Sequence, residues 1–528
     1  MRVLIFHGYL LEGTGSNVYT ARLAAALARL GHDVHLLCQD RHPERRRFVD
    51  AAGDWDSGEL RVERLARHSA RGSCTVYRPD IGGLLPVYVA DRYEGIEART
   101  FARCSEPEVA RYIDANVAAV SELLVRVRPH TALANHLVMG PVILARALRD
   151  SVPYAVKVHG SALEYTVKPE PERFLAPARE GLASARAVLV GSTHTARSLW
   201  RALADPRLAR RTRLGPPGVD VERFCARTPT NAAAGVRALA RHLRAQAARP
   251  GREREAGAFA RDASAAADAL ARLDPEREPL VAFVGKLIVS KGVDLLIAAW
   301  PLVLQRSPRA RLVIVGFGAY REGLERLCSA LRQGDLEQAR QLALAGRALE
   351  DDSLPRRPLR HLLAFLEQLG GTERERYLEA ARALDERVVL CGRLEHDELA
   401  LLLPACAAVV VPSTFPEAFG MVAAEAAACG ALPVSAAHSG LAEVSGALAA
   451  AIPAQAAAWL SFGVGAHAVE ELARNLTGWL HADPRLRART RAGLIATVRQ
   501  RWSWESVARG VIAAAGGQLD TLAAPVID

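Results

Sequence analysis

The stretch Arg2-Val-Leu-Ile-Phe-His-Gly-Tyr-Leu-Leu-Glu-Gly-Thr-Gly-Ser-Asn17, with Val18–Leu30, Gly31 and Val34-His-Leu-Leu-Cys38 behind it, reads as strand, loop, helix and strand. Val3–Phe6 is a short unbroken apolar run, the pattern of a strand buried on both faces of a parallel sheet. Gly8, Gly13 and Gly15 loosen the loop, and Val18–Leu30 carries apolar residues at helical spacing up to Gly31, a good residue just past a helix end. A strand, a helix and a second strand within forty residues imply a parallel α/β layer. The chain starts on this strand, without the charged and apolar regions of a secretory leader, so none is expected.

Outward from this unit the pattern repeats. Thr131–Ala134, Tyr154–Val158 and Ala187–Val190 are short apolar strands with helical segments between them. Gly215-Pro-Pro-Gly-Val-Asp220 is a turn-rich hinge. A second series follows: Leu280–Val284, Arg311–Val315, Val388–Leu390, Ala408–Val411 and Leu432–Val434. The expected organisation is an acceptor-side α/β domain over 1–216, a second α/β domain over 217–500, and a last helix, 501–528, crossing back to the first. Residues 227–278 and 329–386 read as insertions, peripheral helices or excursions.

The chain has 528 residues, enough for two to three domains, with 50% hydrophobic and 24% charged residues, a globular balance. A net charge of +10 suits acidic partners such as nucleotides, phosphates or anionic lipid, or else is a solvated Arg-rich surface. Eight scattered cysteines form no Cys-x-x-Cys pair, which argues against a zinc ribbon and fits a reducing compartment. No apolar run reaches membrane-spanning length.

Pro412-Ser-Thr-Phe-Pro-Glu417-Ala-Phe-Gly420-Met-Val-Ala-Ala-Glu425 follows a strand and enters a helix. Glu417 falls on the loop and Glu425 on the helix, with a helix N-terminus near Gly420 and Met421 between them. Eight helical residues span about 12 Å, close to the ribose-to-hexose distance of a nucleotide-diphosphate sugar. The free N–H groups and the helix dipole suit the diphosphate, and each carboxylate can accept from hydroxyls. Alone, two such glutamates would be ordinary surface residues; the flanking strand, glycine and helix give them a purpose. Lys286 and Lys291 leave the strand Leu280–Val284 and can reach the same end of the sheet, where two ammonium groups would neutralise a diphosphate. Glu12–Asn17 offers glycines for close approach to phosphate or sugar, and His159-Gly160 ends another strand.

Together with Gly31–Val34, Lys291-Gly-Val-Asp294 and Val313-Ile-Val-Gly316-Phe-Gly318, these segments stand in the order of a known family. The chain resembles retaining glycosyltransferase family 4, whose fold is GT-B, two Rossmann-like doubly wound domains facing each other across a cleft. The resemblance implies catalytic roles for His159 and Glu417, His159 near the donor sugar and Glu417 on it. It implies ribose binding by Glu425 and donor contacts from Gly13, Gly15, Lys286, Lys291, Phe419, Gly420 and Met421. Lys286 stands where the family usually has Arg, a point charge in place of a planar fork, and Glu12 stands where a first glycine is common. The implied reaction is transfer of a hexose from a UDP- or GDP-sugar to a hydroxyl acceptor: a sugar, a small alcohol or a glycolipid. It proceeds by front-face displacement with no protein nucleophile, no cofactor, no metal and no nucleic acid.

The alternatives are a non-catalytic nucleotide-sugar-binding protein, a nucleotide-sugar epimerase, and a dinucleotide-dependent oxidoreductase. The last is disfavoured because Val18 and Arg321 stand where Gly-x-Gly-x-x-Gly needs its third glycine. The expected location is cytoplasmic, with transient contact at the inner membrane face through Arg41–Arg47 and Arg61–Arg78, and with Tyr88, Tyr93 and Phe101 as interfacial aromatics.

Overall fold

The structure, a computed structural model, describes residues 1–12, 15–56, 58–65, 71–88, 97–248, 262–351 and 355–526. The chain divides into two compact units, 1–218 with 502–528, and 219–501.

The first unit is built on strands β1 (Arg2–Phe6), β2 (Asp33–Leu37), β3 (Ala51–Asp56), β4 (Glu59–Arg64), β5 (Ser73–Arg78), β6 (Leu84–Val87), β7 (Glu97–Thr100), β8 (Thr131–Asn135), β9 (Tyr154–Lys157), β10 (Ala187–Val190) and β11 (Thr212–Leu214). Nine of them form one sheet in the order β11-β10-β9-β8-β1-β2-β5-β3-β4, parallel except for the β3–β4 pair. β1 and β8 are fully or nearly fully buried, as their unbroken apolar runs require. Helices Gly15–Arg29 and Trp504–Ala515 pack on one face of the sheet; Glu106–Val127, Gly140–Leu148 and Pro171–Ala183 pack on the other. The C-terminal helix is thus part of the first unit, and Gly218 admits it closely: a Cβ there would lie 2.5 Å from the Trp504 indole.

The second unit carries β12 (Leu280–Val284), β13 (Arg311–Val315), β14 (Val388–Gly392), β15 (Cys406–Val411), β16 (Leu432–Ala436) and β17 (Ser461–Phe462), all parallel, in the order β14-β13-β12-β15-β16-β17. Chain order reverses between β12 and β15, and in the first unit between β1 and β8. Open α/β sheets bind ligands beyond the carboxyl ends of strands at such switch points.

The two segments read as peripheral helices or excursions are helical, and one further expectation is corrected. The segment read as an insertion over 227–278 contains helices Pro229–Ala247 and Ala263–Ala271, which pack on each other, on helix His396–Leu402 and on β14. Their buried face is Ala232, Ala233, Val236, Leu239 and Leu243, a helical stripe whose small alanines muted the apolar signal. The segment read as an insertion over 329–386 begins inside helix Arg321–Gln333, and its buried Tyr377 donates to the carbonyl of Ala298 (2.9 Å) in the central helix Val293–Arg306. It is a covering layer of helices. The aromatics proposed for a membrane are core residues: Phe101 is 1% exposed and packs on Tyr88, Tyr112 and Phe174, while Tyr88 donates to the carbonyl of Val138. Tyr93 lies outside the described residues. Among the described residues no helix is long and apolar enough to cross a membrane.

Candidate functional site

At the switch point of the second unit, three loops close on one another. Leu287 N–H donates to Phe317 O (2.8 Å), Tyr320 N–H to Leu287 O (3.0 Å) and Thr414 N–H to Ser290 O (2.9 Å). The loops after β12, β13 and β15 are thereby tied into one floor. Glycine makes this approach sterically possible. A Cβ on Gly316 would lie 1.9 Å from Gly285 O, and one on Gly292, at φ 64°, would lie 2.1 Å from Pro412 O.

Above this floor stands helix Met421–Ala428, with Gly420 at its N-cap. Its first amides, on Met421, Val422 and Ala423, have no acceptor within the helix. Glu417 precedes the helix on the loop. Its carboxylate accepts from Ser413 Oγ (2.6 Å) and forms an ion pair with the Lys291 ammonium. Its backbone is held as well: Glu417 N–H donates to Ser439 Oγ (2.9 Å) and Gly440 N–H to Glu417 O (2.9 Å). Glu425 lies inside the helix, 5% exposed, and its Oε1 is hydrogen-bonded to His396 Nε2 (2.7 Å). The His396 ring packs on Phe224 with centroids 4.7 Å apart. Two carboxylates thus bracket a helix N-terminus, with a cation at the first.

Over residues 270–339 and 342–491 the chain matches the family described as "Glycosyl transferases group 1", and over 14–215 the "Glycosyl transferase 4-like domain". The chain belongs to glycosyltransferase family 4. The D-inositol 3-phosphate glycosyltransferase of Segniliparus rotundus is 31% identical over 257 residues, 49% of this chain and 44% of that protein. The match thus spans less than half the length of that curated relative. Among solved structures, sucrose-phosphate synthase from Thermosynechococcus elongatus superposes with a TM-score of 0.53 at 18% identity, covering 98% of this chain and 99% of that one. Anabaena HepE in complex with UDP and glucose gives 0.51 at 16% identity, covering 98% and 99%. The fold is that of GT-B glycosyltransferases.

In this family 4 chain the residues expected at a donor site fall unevenly. Glu417, Phe419, Gly420, Met421, Glu425 and Lys291 come together on the two loops and the helix. Lys291 faces Glu417 directly, whereas the sequence suggested that it served the diphosphate alone. Lys286 follows β12 and is exposed. Gly15 begins its helix in the first unit, and Gly13 lies outside the described residues. His396 was not singled out in the sequence: it sits 29 residues before Glu425, on another helix, and no local pattern marks it.

In the first unit, His159 follows β9 and stands near polar residues from the ends of β1 and β8 and from the helix Gly15–Arg29. Asn135 bonds to its ring, Thr20, His7 and Asn17 follow behind Asn135 in one hydrogen-bonded chain, and the His136 ring lies tilted 4.9 Å away. Burial, with His136, Lys157 and His7 nearby, drives the His159 pKa well below 6.5. Burial also lowers the Lys157 ammonium to about 7. Asn135-His136 directly after an apolar strand was a legible signal, of the same kind as His159-Gly160. Past the ends of β2, β3 and β5 lies an open cleft of about 600 Å³ lined by Arg41, His42, Asp54, Trp55, Arg78 and Asp80.

Proposed function

We propose that this chain transfers a hexose from a nucleotide-diphosphate sugar to a hydroxyl acceptor, with retention of anomeric configuration and without a catalytic metal. The observation that carries the proposal is the bracketed helix N-terminus. The amides of Met421–Ala423 suit the diphosphate, buried Glu425 suits the ribose hydroxyls, and Glu417 suits the sugar. The Glu417 carboxylate pairs with Lys291. A bound diphosphate would compete for this ammonium, freeing Glu417 to accept from sugar hydroxyls. Lys291 then neutralises the charge that builds on the leaving diphosphate, and Lys286 adds a second cation. The departing phosphate oxygen takes the acceptor proton as the acceptor attacks from the same face.

A UDP-sugar is the donor favoured here, since the HepE structure holds UDP and glucose. The acceptor is placed in the first unit. The cleft beside Trp55 offers guanidinium donors, carboxylate acceptors and an indole face, the mix that suits a hydroxylated ring. The reading is tested by measuring nucleoside diphosphate release from UDP-, GDP- and ADP-sugars with and without acceptor alcohols. Acceptor-dependent release supports transfer. Binding of the donor with no turnover under any acceptor supports the non-catalytic alternative.

A further inference from the structure

Behind His159 runs a chain of hydrogen bonds whose direction is fixed at its far end. Asn17 Nδ2 donates to the Glu12 carbonyl (2.6 Å), an acceptor only, so Asn17 turns its Oδ1 toward His7. His7 Nε2 lies 3.0 Å from that oxygen and 3.0 Å from the Leu10 carbonyl. Both are acceptors, so Nε2 carries the proton and donates. Burial lowers the His7 pKa to about 4, so the ring is neutral and Nδ1 is a bare acceptor. Thr20 Oγ1 sits 3.2 Å from that Nδ1 and 2.9 Å from Ser16 O. Its single hydrogen goes to one of these two acceptors, and either way its lone pairs face outward. They receive Asn135 Nδ2 at 3.2 Å, which leaves Asn135 Oδ1 turned to His159 Nε2 at 2.9 Å.

We infer that Asn135 is a positioning residue that holds the His159 ring with its proton on Nε2, so that Nδ1 stands as a bare acceptor for a ligand hydroxyl and not for a phosphate. The assignment follows from bond direction: the Thr20 hydrogen has a choice of two acceptors, and in either case its oxygen receives Asn135 Nδ2 while Asn135 Oδ1 receives His159 Nε2. Nδ1 makes no hydrogen bond among the described residues, and His159, at the N-cap of the short helix Gly160–Ala162, gives no side-chain cap. An unprotonated nitrogen attracts a hydroxyl hydrogen and repels the lone pairs of a phosphate oxygen. The group meeting His159 is therefore a sugar or alcohol hydroxyl, and the diphosphate belongs elsewhere. This last step rests on the glycosyltransferase reading; the tautomer does not.

The charged and titratable groups around the ring agree. Lys157, on the same strand end, gives its ammonium to Gly215 O (2.5 Å). His136 lies tilted on one side, and Tyr19, from the first helix, meets the ring edge-on at 5.1 Å. Among the described residues no carboxylate bonds to the ring, and burial disfavours an imidazolium.

The test is the ring nitrogen spectrum of the full chain grown with ring-¹⁵N histidine, with His159 assigned by its loss in His159→Gln. The wild-type protein is expected to show a pyridine-like Nδ1 and a protonated Nε2, unchanged between about pH 6 and 8. A protonated Nδ1, or an imidazolium in this range, overturns the inference whether or not the protein transfers sugar. The variants Asn135→Asp and Asn135→Leu extend the test. In Asn135→Asp the new carboxylate favours the imidazolium, so both nitrogens should read as protonated, and kcat/KM should fall about tenfold per pH unit below the new His pKa. In Asn135→Leu the protonation should divide between the two nitrogens, and kcat/KM should fall on the order of tenfold or more, with nucleoside diphosphate affinity unchanged. A wild-type ring spectrum and a flat pH profile in folded Asn135→Asp contradict the assignment.

Discussion

At the scale of residues, the account turns on which side chain meets which part of a donor. Removing the Lys291 ammonium should weaken binding of free nucleoside diphosphate on the order of 10- to 100-fold, the worth of a charged hydrogen bond. Glu425→Ala should weaken nucleoside and nucleoside diphosphate alike, because its carboxylate is read as the ribose contact. Calorimetric titration with nucleoside, monophosphate and diphosphate separates the two, and equal loss across all three ligands for Lys291→Ala counts against its role. Asp294 makes a different prediction. It is 3% exposed, its Oδ1 has no hydrogen-bond partner, and burial raises its pKa from 3.8 to about 7. Below pH 3.8 the carboxyl is protonated folded or unfolded. As pH rises, the unfolded chain ionises first, so this residue's stabilising contribution is lost progressively up to about 7 and stays lost above it. The loss is at most about 4 kcal/mol. Asp294→Asn should therefore gain stability over wild type at pH 8 and lose that advantage toward pH 5. Denaturant midpoints at the two pH values measure this, and a difference independent of pH would show that Asp294 does not titrate in this range. The sequence announced Glu417, Glu425 and Lys291 because each stands in a local pattern of strand, glycine and helix. It did not announce His396, whose partner Glu425 stands on another helix, and although Asn135 ends a legible strand, only the fold joins it to His159.

At the scale of elements, strands and turns were legible wherever a short apolar run ended in glycine, proline or a polar residue. β1, β8, β12 and β15 are of this kind, and they carry the site loops. The packing of the two segments read as insertions was not legible. Helix Pro229–Ala247 buries alanines, whose apolar contrast with the exposed face is weak, so its stripe is faint in the sequence although its packing is complete. The tied loops of the second unit supply a test at this level. Gly316→Ala forces a Cβ against Gly285 O, which the 1.9 Å approach cannot accommodate without movement of both loops. The substitution should cost about 1–3 kcal/mol of stability and should weaken nucleoside diphosphate binding more than any equally destabilising change remote from the loops. Thermal unfolding and nucleotide titration on the same preparation check both effects. Unaltered nucleotide affinity would mean that the floor does not position the donor.

At the scale of the whole molecule, the account joins a donor-binding second unit to an acceptor-binding first unit on one chain. Trp55→Ala should raise the acceptor KM while leaving donor affinity unchanged, a split that steady-state kinetics with each substrate varied in turn will show. Transfer should also persist in excess chelator, since Lys291, Lys286 and the helix amides are assigned the work of a cation; activity lost to chelator and restored by magnesium or manganese contradicts that. The central claim is that a nucleotide-diphosphate sugar binds with its charge at the N-terminus of Met421–Ala428 and gives up its sugar with retention. Its most direct measurement is proton NMR of the reaction with an α-linked UDP-hexose and an accepted alcohol, run beside Glu425→Ala and Lys291→Ala. The account predicts an α-linked product as the first species formed, and rates at least tenfold lower in both variants. A β-linked first product, or full activity in either variant, would contradict it.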